Sequence, residues 1–564
     1  NGYAKDTNFI IAAGNEGEYQ GNLNIDTPDF GTIATPGNVR NAITVASLEN
    51  KMMNAAFVTL NGRNYIFSAA GEAKYSAGDY EYVECGIGKT SDFDGKDVSG
   101  KIALVKRGTI SFNEKILNAA DAGAIGVIVY NNVKGMLSML IDNHPIPAIL
   151  VELSTGEKMI ESSKKTIHID MKEREVENPD YGEFSAFSNW GLTSGGYMKP
   201  DISAPGGHIY STQTMGNTFG DMSGTSMATP HVTGAIGVLR KRLNEDLFKS
   251  AKSKAELTKI ILMNSAVPHN DIKTGAVTSP RRQGAGMLNV KEALSIDFTV
   301  VDTDTRVPSK FVGNVKDSIK LNLTVKNWSS KRKKITPSIQ ATIEARDKKV
   351  MKRRPEELFT ETLENDIFEL EPGQEKDIVL NIPLQNLDKI SDFKNGAFID
   401  GFIHLRDQND MEISFPFVSF RGEYETIPSI EKPVYDFDFN EEKPMYWNIK
   451  TSTRPWFRFS THIETNFGLD TENPGLKKYV IAGIKNFDEI DKNKNTEKEP
   501  SPIFEDIVIS PNVDGKYDEF NPYIVATRGG SFRAEILNEK NAVVLKSSLG
   551  DHPSNISDVP DDPD

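Results

Sequence analysis

Two short apolar runs open the chain, "NFIIAA" at 8–13 and "NAITVASL" at 41–48, and the first ends in Gly-Asn. Runs that are apolar throughout, rather than alternating, predict parallel strands buried on both faces, with the chemistry gathered at their carboxyl ends. Between Asn50 and about Glu177 the pattern changes to short strand-like segments with many Gly and Asp residues. At its centre, residues 100–132 read strand, loop, helix, strand: "IALV", an amphipathic stretch at 112–122, then "VIVY". This predicts a self-contained module inserted into the first domain. From 184 to about 294 come strand-like "KPDISAPG" (199–206), a helix over 227–243 and a further helix over 254–265. From about Ile296 the period becomes two. "SIKLNLTV" (318–325) puts Ile319, Leu321, Leu323 and Val325 on one face, and "DIVLNIPL" (377–384) alternates likewise, as half-buried antiparallel strands do. With "GAFIDGFIHL" (396–405) and "EISFPFVSF" (412–420) these predict a β-sandwich of about 125 residues. A second β-rich stretch begins near Glu423 and runs through 531–548, with a hairpin turn at 538–541. The expected units are therefore 1–49 with 178–295, an insert at 50–177, a sandwich at 296–422 and a second, incomplete sandwich at 423–564.

A length of 564 residues fits several hydrophobic cores. The net charge of −15 argues against nucleic acid as the main partner, because phosphate binding needs a basic face. The basic clusters "KRKK" (331–334) and "KKVMKRR" (348–354) are expected to be solvated loops. No run of about 18 apolar residues is long enough to span a bilayer. The chain begins on Asn, and its first twenty residues lack the pattern of a secretory signal, so a cut or trimmed chain is expected. Cys85 is the single cysteine and leaves the redox compartment open.

Candidate chemistry centres on "GDMSGTSMATPHVTGA" (220–235). Ser226 sits in a Gly-Thr-Ser turn directly before a helix, where a serine is commonly only a cap. A nucleophilic serine needs a base within hydrogen-bond reach and donors aimed at the oxyanion. Gly224 and Ala228 leave room for a peptide, and the Ser226 N–H at the helix start points where an oxyanion would form.

"GTSMATPH" resembles the serine segment of the subtilisin-like proteases, and other stretches agree in order along the chain. "AAGNEG" (12–17) resembles that family's oxyanion-hole segment, which gives Asn15 the role of side-chain donor. "KPDISAPG" resembles the strand and turn before the serine, and "GAGMLNVKEAL" (284–294) the end of the catalytic domain. The insert resembles a protease-associated domain through residues 101–132. The β domains resemble the fibronectin-like modules of the cell-envelope proteinases of Gram-positive cocci, with "SPRRQGAGMLNV" (279–290) and "ISPNVDGKYDEF" (509–520) fitting that subgroup. The resemblance implies a multidomain fold: an α/β subtilisin-like catalytic domain with a partial parallel sheet, an inserted α+β protease-associated domain, then all-β fibronectin-like sandwiches. It also implies a secreted, cell-wall-associated serine endopeptidase that cleaves host proteins of the complement-peptide or chemokine type. The alternatives are a nutritional caseinase and an adhesion module on a protease scaffold.

In this family the triad runs Asp, His, Ser, and both partners precede the oxyanion Asn. The fourteen residues before Asn15 hold no His and only Asp6, outside any Asp-Thr-Gly turn. His231 follows Ser226 on the same helix, pointing away, and is expected to pack structurally. His208 follows the "APGG" turn with nothing to suggest a base. His144 and His168 fall in the insert, His269 in a loop, His404 and His462 in the β domains and His552 in the tail. Either the base and its orienting Asp sit on an N-terminal fragment of the same precursor, held by the shared sheet, or the chain is a truncated piece; strand 8–13, which alone would present an unpaired edge, favours the partner fragment. A protein or peptide is the expected substrate. No cofactor is required for the chemistry and no catalytic metal is expected. Asn512, Asp514 and Asp518 have a spacing that could supply oxygen ligands to a structural Ca²⁺, or simply an Asx-stabilised turn. The insert is expected to position substrate or to act as a spacer, and Trp190 to be a packed aromatic near the sheet.

Overall fold

The computed structural model describes residues 6–17 and 31–424, apart from short stretches at 109, 133–138, 140, 142–143, 194–195, 213–217, 348–351, 392 and 394–395, together with isolated strands between 462 and 552. The first two apolar runs form β1 (Ile10–Ala12) and β2 (Ile43–Glu49), paired in parallel with Ile10 opposite Ile43. The chain then leaves this sheet for an insert: β3 (Met52–Leu60), β4 (Arg63–Ala70), β5 (Gly78–Glu84), β6 (Ile102–Lys106), α1 (Phe112–Asp121), β7 (Gly126–Tyr130), β8 (Ala148–Val151), α2 (Leu153–Glu161) and β9 (Thr166–Glu177). Its seven strands close into a barrel in the order β3-β4-β8-β7-β6-β5-β9, which leaves no free sheet edge. Val58, Leu104, Ile128 and Ile169 fill the barrel, while Val105, Val127 and Val129 face Ile116 of α1 on the outside.

On its return the chain forms β10 (Ile202–Gly207), which pairs in parallel with β2 on the side away from β1 and completes a three-stranded sheet, β1-β2-β10. A hairpin follows, β11 (Ile209–Thr212) and β12 (Phe219–Met222), and runs straight into α3 (Thr225–Arg242). The buried face of α3, including Ala228, Val232, Ala235 and Leu239, joins the core that contains Ile43, Val45 and Ile202 of the sheet. The helix starts at Thr225, two residues before the apolar pattern suggests. α4 (Lys254–Asn264) packs alongside, capped by Ser253, whose hydroxyl accepts the Glu256 N–H.

One buried carboxylate organises this sheet. Asp201 Oδ2 accepts the Thr44 N–H of β2 (2.8 Å) and the Lys199 ammonium (2.6 Å), while Oδ1 pairs with Lys259 of α4 (2.7 Å). Burial would raise this carboxyl, but the two ammonium groups hold it below its usual range. Burial pushes Lys199 down to about 8, against the pull of Asp201.

After α5 (Pro280–Gln283) and α6 (Val290–Ala293) the alternating segments build a sandwich: β13 (Phe298–Asp302), β14 (Lys310–Val315), β15 (Ser318–Asn327), β16 (Lys333–Asp347), β17 (Lys352–Thr362), β18 (Phe368–Leu370), β19 (Glu375–Pro383), β20 (Ala397–Asp407) and β21 (Glu412–Arg421). One sheet runs β13-β15-β19 and the other β14-β21-β20-β16-β17, with β18 on β16. β15 and β19 pair antiparallel, and Ile319, Leu321, Leu323 and Val325 turn one face into the core. The basic clusters are not simply solvated loops. Lys333 opens β16 and is buried between Asp297 and Asp407, at 2.7 Å from each, and Arg354 on β17 pairs with Asp271 (3.1 Å). Acidic partners from distant segments turn what looks like a local positive run into structural ion pairs. Of the expected second sandwich, the described residues hold only short strands, among them the antiparallel pair 535–537 and 543–546; its turn at 538–541 lies outside them.

Sandwich and sheet share one core, and a buried cation fastens them. The guanidinium of Arg281, on α5, donates to Asp400 of β20 (2.9 Å) and Glu344 of β16 (3.1 Å) and lies 4.1 Å above the Phe398 ring. Ser279 donates to the same Asp400 oxygen (2.5 Å). Arg281→Ala would leave two buried carboxylates without their cation. A loss of about 3–5 kcal/mol is expected, read as a lower urea midpoint for the sheet-and-sandwich unit. Arg281→Met combined with Glu344→Leu and Asp400→Leu should recover most of that loss. An unchanged midpoint in Arg281→Ala would mean that water already solvates the network.

Candidate active site

Ser226 is the second residue of α3, and the residue in the capping position is Gly224, so Ser226 is not the helix cap. Its side chain is exposed at the carboxyl end of the parallel sheet. The turn before it is fastened to the end of β10 by the Gly224 N–H, which donates to Gly206 O (2.8 Å). Thr225, fully buried beside Ser226, reaches back to the end of β1. Its N–H donates to Asn15 Oδ1 (3.0 Å), its hydroxyl lies 2.9 Å from the same oxygen, and that hydroxyl accepts the Gly14 N–H (3.2 Å). These contacts hold the Asn15 amide by its oxygen.

The two oxyanion candidates converge. A methyl group built on Gly224 would lie 3.5 Å from Met227 Sδ, 3.6 Å from Ser226 N and 3.7 Å from Asn15 Nδ2, so both nitrogens border the same space beside this glycine. Underneath, Asn189 is completely buried and fixes the loop: its Oδ1 accepts the Glu16 N–H (2.8 Å), and its Nδ2 donates to Thr32 O (2.6 Å) and the Glu16 carboxylate (2.5 Å). Gly14, at φ +107°, approaches Asn189 so closely that a side chain there would collide with its amide. Trp190 is buried under the Arg282 guanidinium, 4.9 Å from the ring centre.

The sequence singles out Ser226 and Asn15, which the fold brings to one sheet edge, but not Thr225 and Asn189, which hold that edge together. "GTSMATPH" and "FSNWG" contain both residues, yet only folding shows that they bracket the same loop from opposite sides.

None of the six histidines with described side chains bonds to Ser226. His144 pairs with Asn113, His168 with Asp79, His208 with Asp221, His269 with Thr278 and His404 with Glu412. His231 was expected to pack structurally; instead it is exposed, one turn along from Met227, whose carbonyl oxygen its ring meets at 3.0 Å. Asp6 is spent elsewhere: it accepts the Ala255 N–H at the start of α4 (2.7 Å), which with Arg240 holds its carboxyl below the usual range. The outward face of α3, with His231, Gly234, Gly237 and Val238, is exposed, and β1 is the outer strand of its sheet, half exposed along its length.

Beside the hairpin lies a cavity of about 250 Å³ between the two units, bordered by Pro205, His208, Asp221 and His231 on one side and by Asn54 and Glu175 of the barrel on the other. Among the described residues no group of three or more His, Cys, Asp or Glu is placed to hold a metal; Asn512, Asp514 and Asp518 lie outside them.

The subtilase family model matches residues 1–286, and an Fn3-like domain model matches residues 312–418. The chain is 29% identical to the C5a peptidase of Streptococcus pyogenes serotype M1 over 97% of its own length and 49% of that protein. It is 34% identical to the minor extracellular protease Vpr of Bacillus subtilis over 55% of this chain and 39% of Vpr. To the PI-type proteinase of Lactococcus lactis subsp. cremoris it is 33% identical over 51% of this chain and 17% of that one. The chain thus spans about half the length of the C5a peptidases it matches, and less of the other two. No helix among the described residues is long and apolar enough to cross a membrane. With a match across half of its residues, and with the serine and asparagine segments of that match meeting at one sheet edge, the chain belongs to the subtilase family.

Proposed function

We propose that this chain is the nucleophile-bearing part of a secreted, surface-associated serine endopeptidase. The observation that carries the reading is the convergence of the Ser226 N–H and Asn15 Nδ2 on one space beside an exposed serine hydroxyl. Ser226 Oγ attacks the scissile carbonyl carbon and its proton passes to a histidine. The carbonyl oxygen becomes an oxyanion held by the Ser226 N–H and Asn15 Nδ2. The histidine then protonates the leaving amine, and water hydrolyses the acyl-serine by the reverse choreography.

The histidine, and the aspartate that orients it, come from an N-terminal part of the same precursor. Two surfaces suit its arrival: the outer edge of β1, which can accept another parallel strand, and the exposed face of α3 beside Ser226. The barrel is read as a protease-associated module that borders the cleft and positions substrate. The C5a peptidase match runs through 97% of this chain, against 51% for the PI-type proteinase, which favours a host protein of the complement-peptide or chemokine type over a nutritional protein. The chemistry needs no cofactor, and any Ca²⁺ held near Asn512, Asp514 and Asp518 would be structural.

Fluorophosphonate labelling tests this directly, since it reports an activated serine. The chain by itself should label slowly, and co-expression with its N-terminal part should make labelling fast and confined to Ser226, with Ser226→Ala silent. Native mass spectrometry of that preparation should show both chains together. A Ser226 that stays unlabelled in the assembled complex would point to an adhesion module on a protease scaffold. In the active complex Asn15→Ala should lower turnover about 10²–10³-fold, the range for losing one oxyanion donor. Thr225→Val, which removes one of the two donors that aim Asn15, should cost roughly tenfold, about the worth of one hydrogen bond, with KM nearly unchanged.

A further inference from the structure

We propose that His208 is a positioning residue for the Ser226 turn, paired with Asp221 as a charge-dependent latch that ties the β11–β12 hairpin and the root of the barrel insert to the nucleophile. The proposal rests on the reading of Ser226 as that nucleophile.

His208 stands where β10 gives way to β11, at φ +54°, a left-handed conformation that costs a residue with a side chain and is kept where surrounding contacts enforce it. Its N–H donates to Ser223 Oγ (2.9 Å), three residues before Ser226. Its carbonyl oxygen accepts from the side chain of Asn50 (3.3 Å), where the chain departs for the barrel, and the Asn50 N–H donates to the preceding Gly207 O (3.1 Å). Its ring Nδ1 lies 3.3 Å from Asp221 Oδ1 on the opposite strand, two residues before Ser223. Residues 206–208 therefore hold the nucleophile turn on one side and the insert on the other.

The surroundings make the pair sensitive to charge. Asp221 Oδ2 is buried with no hydrogen-bond partner among the described residues, so its carboxylate leans on the His208 ring for compensation. Glu49 of β2, Asp180 of the loop after β9, and Glu175 of β9 also face this region, and His231 of α3 shares the cavity. The hydrogen bond to Asp221 raises the His208 pKa above its ordinary value against the opposing effect of burial, and Glu49 and Asp180 add to the rise. A histidine raised on folding contributes its full stabilisation below its unfolded value near 6.5. That contribution is lost as pH climbs through the folded value. The latch is thus closed below the ring's unfolded value and released as pH climbs through its raised folded value.

The test pairs two readouts on wild type, His208→Gln, His208→Arg and Asp221→Asn. Amide hydrogen exchange at 209–212 and 219–222, corrected for intrinsic rates, is measured on this chain from pH 6 to 9, with the His208 ring titrated by NMR. Fluorophosphonate labelling of Ser226 is followed over the same range in the complex with the N-terminal part. In the wild type, hairpin protection should fall about 5–10-fold as pH climbs through the ring pKa read by NMR, the scale of one charge-assisted hydrogen bond. Labelling should fall in parallel. His208→Gln should show weak protection without that pH step, His208→Arg should keep protection to higher pH, and Asp221→Asn should lower the ring pKa. A pH step that survives in His208→Gln, or a ring pKa indifferent to Asp221→Asn, overturns the latch. Should the exchange behave as stated while Ser226 labels in no variant at any pH, the latch stands as a tie between hairpin and insert, and the protease reading is the one that falls.

Discussion

The arrangement of the site depends on a buried carboxylate that the fold cannot leave uncompensated. Asp201 lies at the start of β10 with no access to water, where an ionised carboxyl persists only if cations and N–H groups surround it. Lys199, Lys259 and the Thr44 N–H meet that demand, and each comes from a different place: the segment before β10, α4 and β2. Satisfying one charge therefore fixes β10 against β2 in register and draws α4 beneath them. Gly284, at φ +66°, lies so close to the Asp201 backbone that no side chain fits, and the neighbouring Ala285 N–H donates to Asp201 O (2.9 Å). From the far end of the same strand Gly206 holds Gly224, so the position of Ser226 follows from where Asp201 is neutralised. Across β2, β1 delivers Asn15 to the same edge. Two residues far apart in the chain meet because both strands flank one partner.

Much of this was legible from the chain. Uniform apolar runs identified β1 and β2, because a strand covered on both faces has no reason to alternate. Strict alternation identified β15 and β19, because a sandwich strand has one dry face. Asn15 and Ser226 were singled out through short motifs whose glycines and small residues leave space for a peptide, and the fold brings the two together. What escaped was whatever depends on partners distant in sequence. Lys333 reads as one charge in a basic cluster until Asp297 and Asp407 close around it. Thr225 and Asn189 read as ordinary turn residues, since a buried hydroxyl or amide shows its purpose only through the group it bonds. The start of α3 was placed late because its capping position is a glycine without side-chain signal, and spacing put His231 away from Ser226 without deciding whether that side was covered.

The sandwich is not a passenger on this machinery. Arg281, which carries the buried charge of the interface, also accepts the Gly191 N–H at its carbonyl oxygen (2.8 Å), and the two residues before Gly191 are Trp190 and Asn189. Asn189 is the amide that holds the Glu16 backbone directly after Asn15. A short run of packed and bonded groups thus joins the sandwich strands carrying Asp400 and Glu344 to the bed of one oxyanion donor. Because the interface cation is charged at every ordinary pH while its partners are buried, relaxing either domain exposes unpaired charge, and each domain is held to the geometry of the other.

The division of labour across the sheet gives a physical reason for an open face. Ser226 and Asn15 are set by contacts wholly within this chain: Thr225 to Asn15, Gly224 to Gly206, Asn189 to Glu16. None of these contacts requires the base. In the proposed enzyme the base would approach over the outer side of α3, where Gly234 and Gly237 leave open space above the helix and β1 is, among the described residues, the outer strand of its sheet. Small residues permit close approach of another backbone, and an unpaired parallel edge gives that approach a fixed direction and register. On the proposed reading, Ser226 and Asn15 are already held in place next to a surface that could receive a further strand and helix, so a histidine would be aligned by docking alone, without rearranging the groups it acts with.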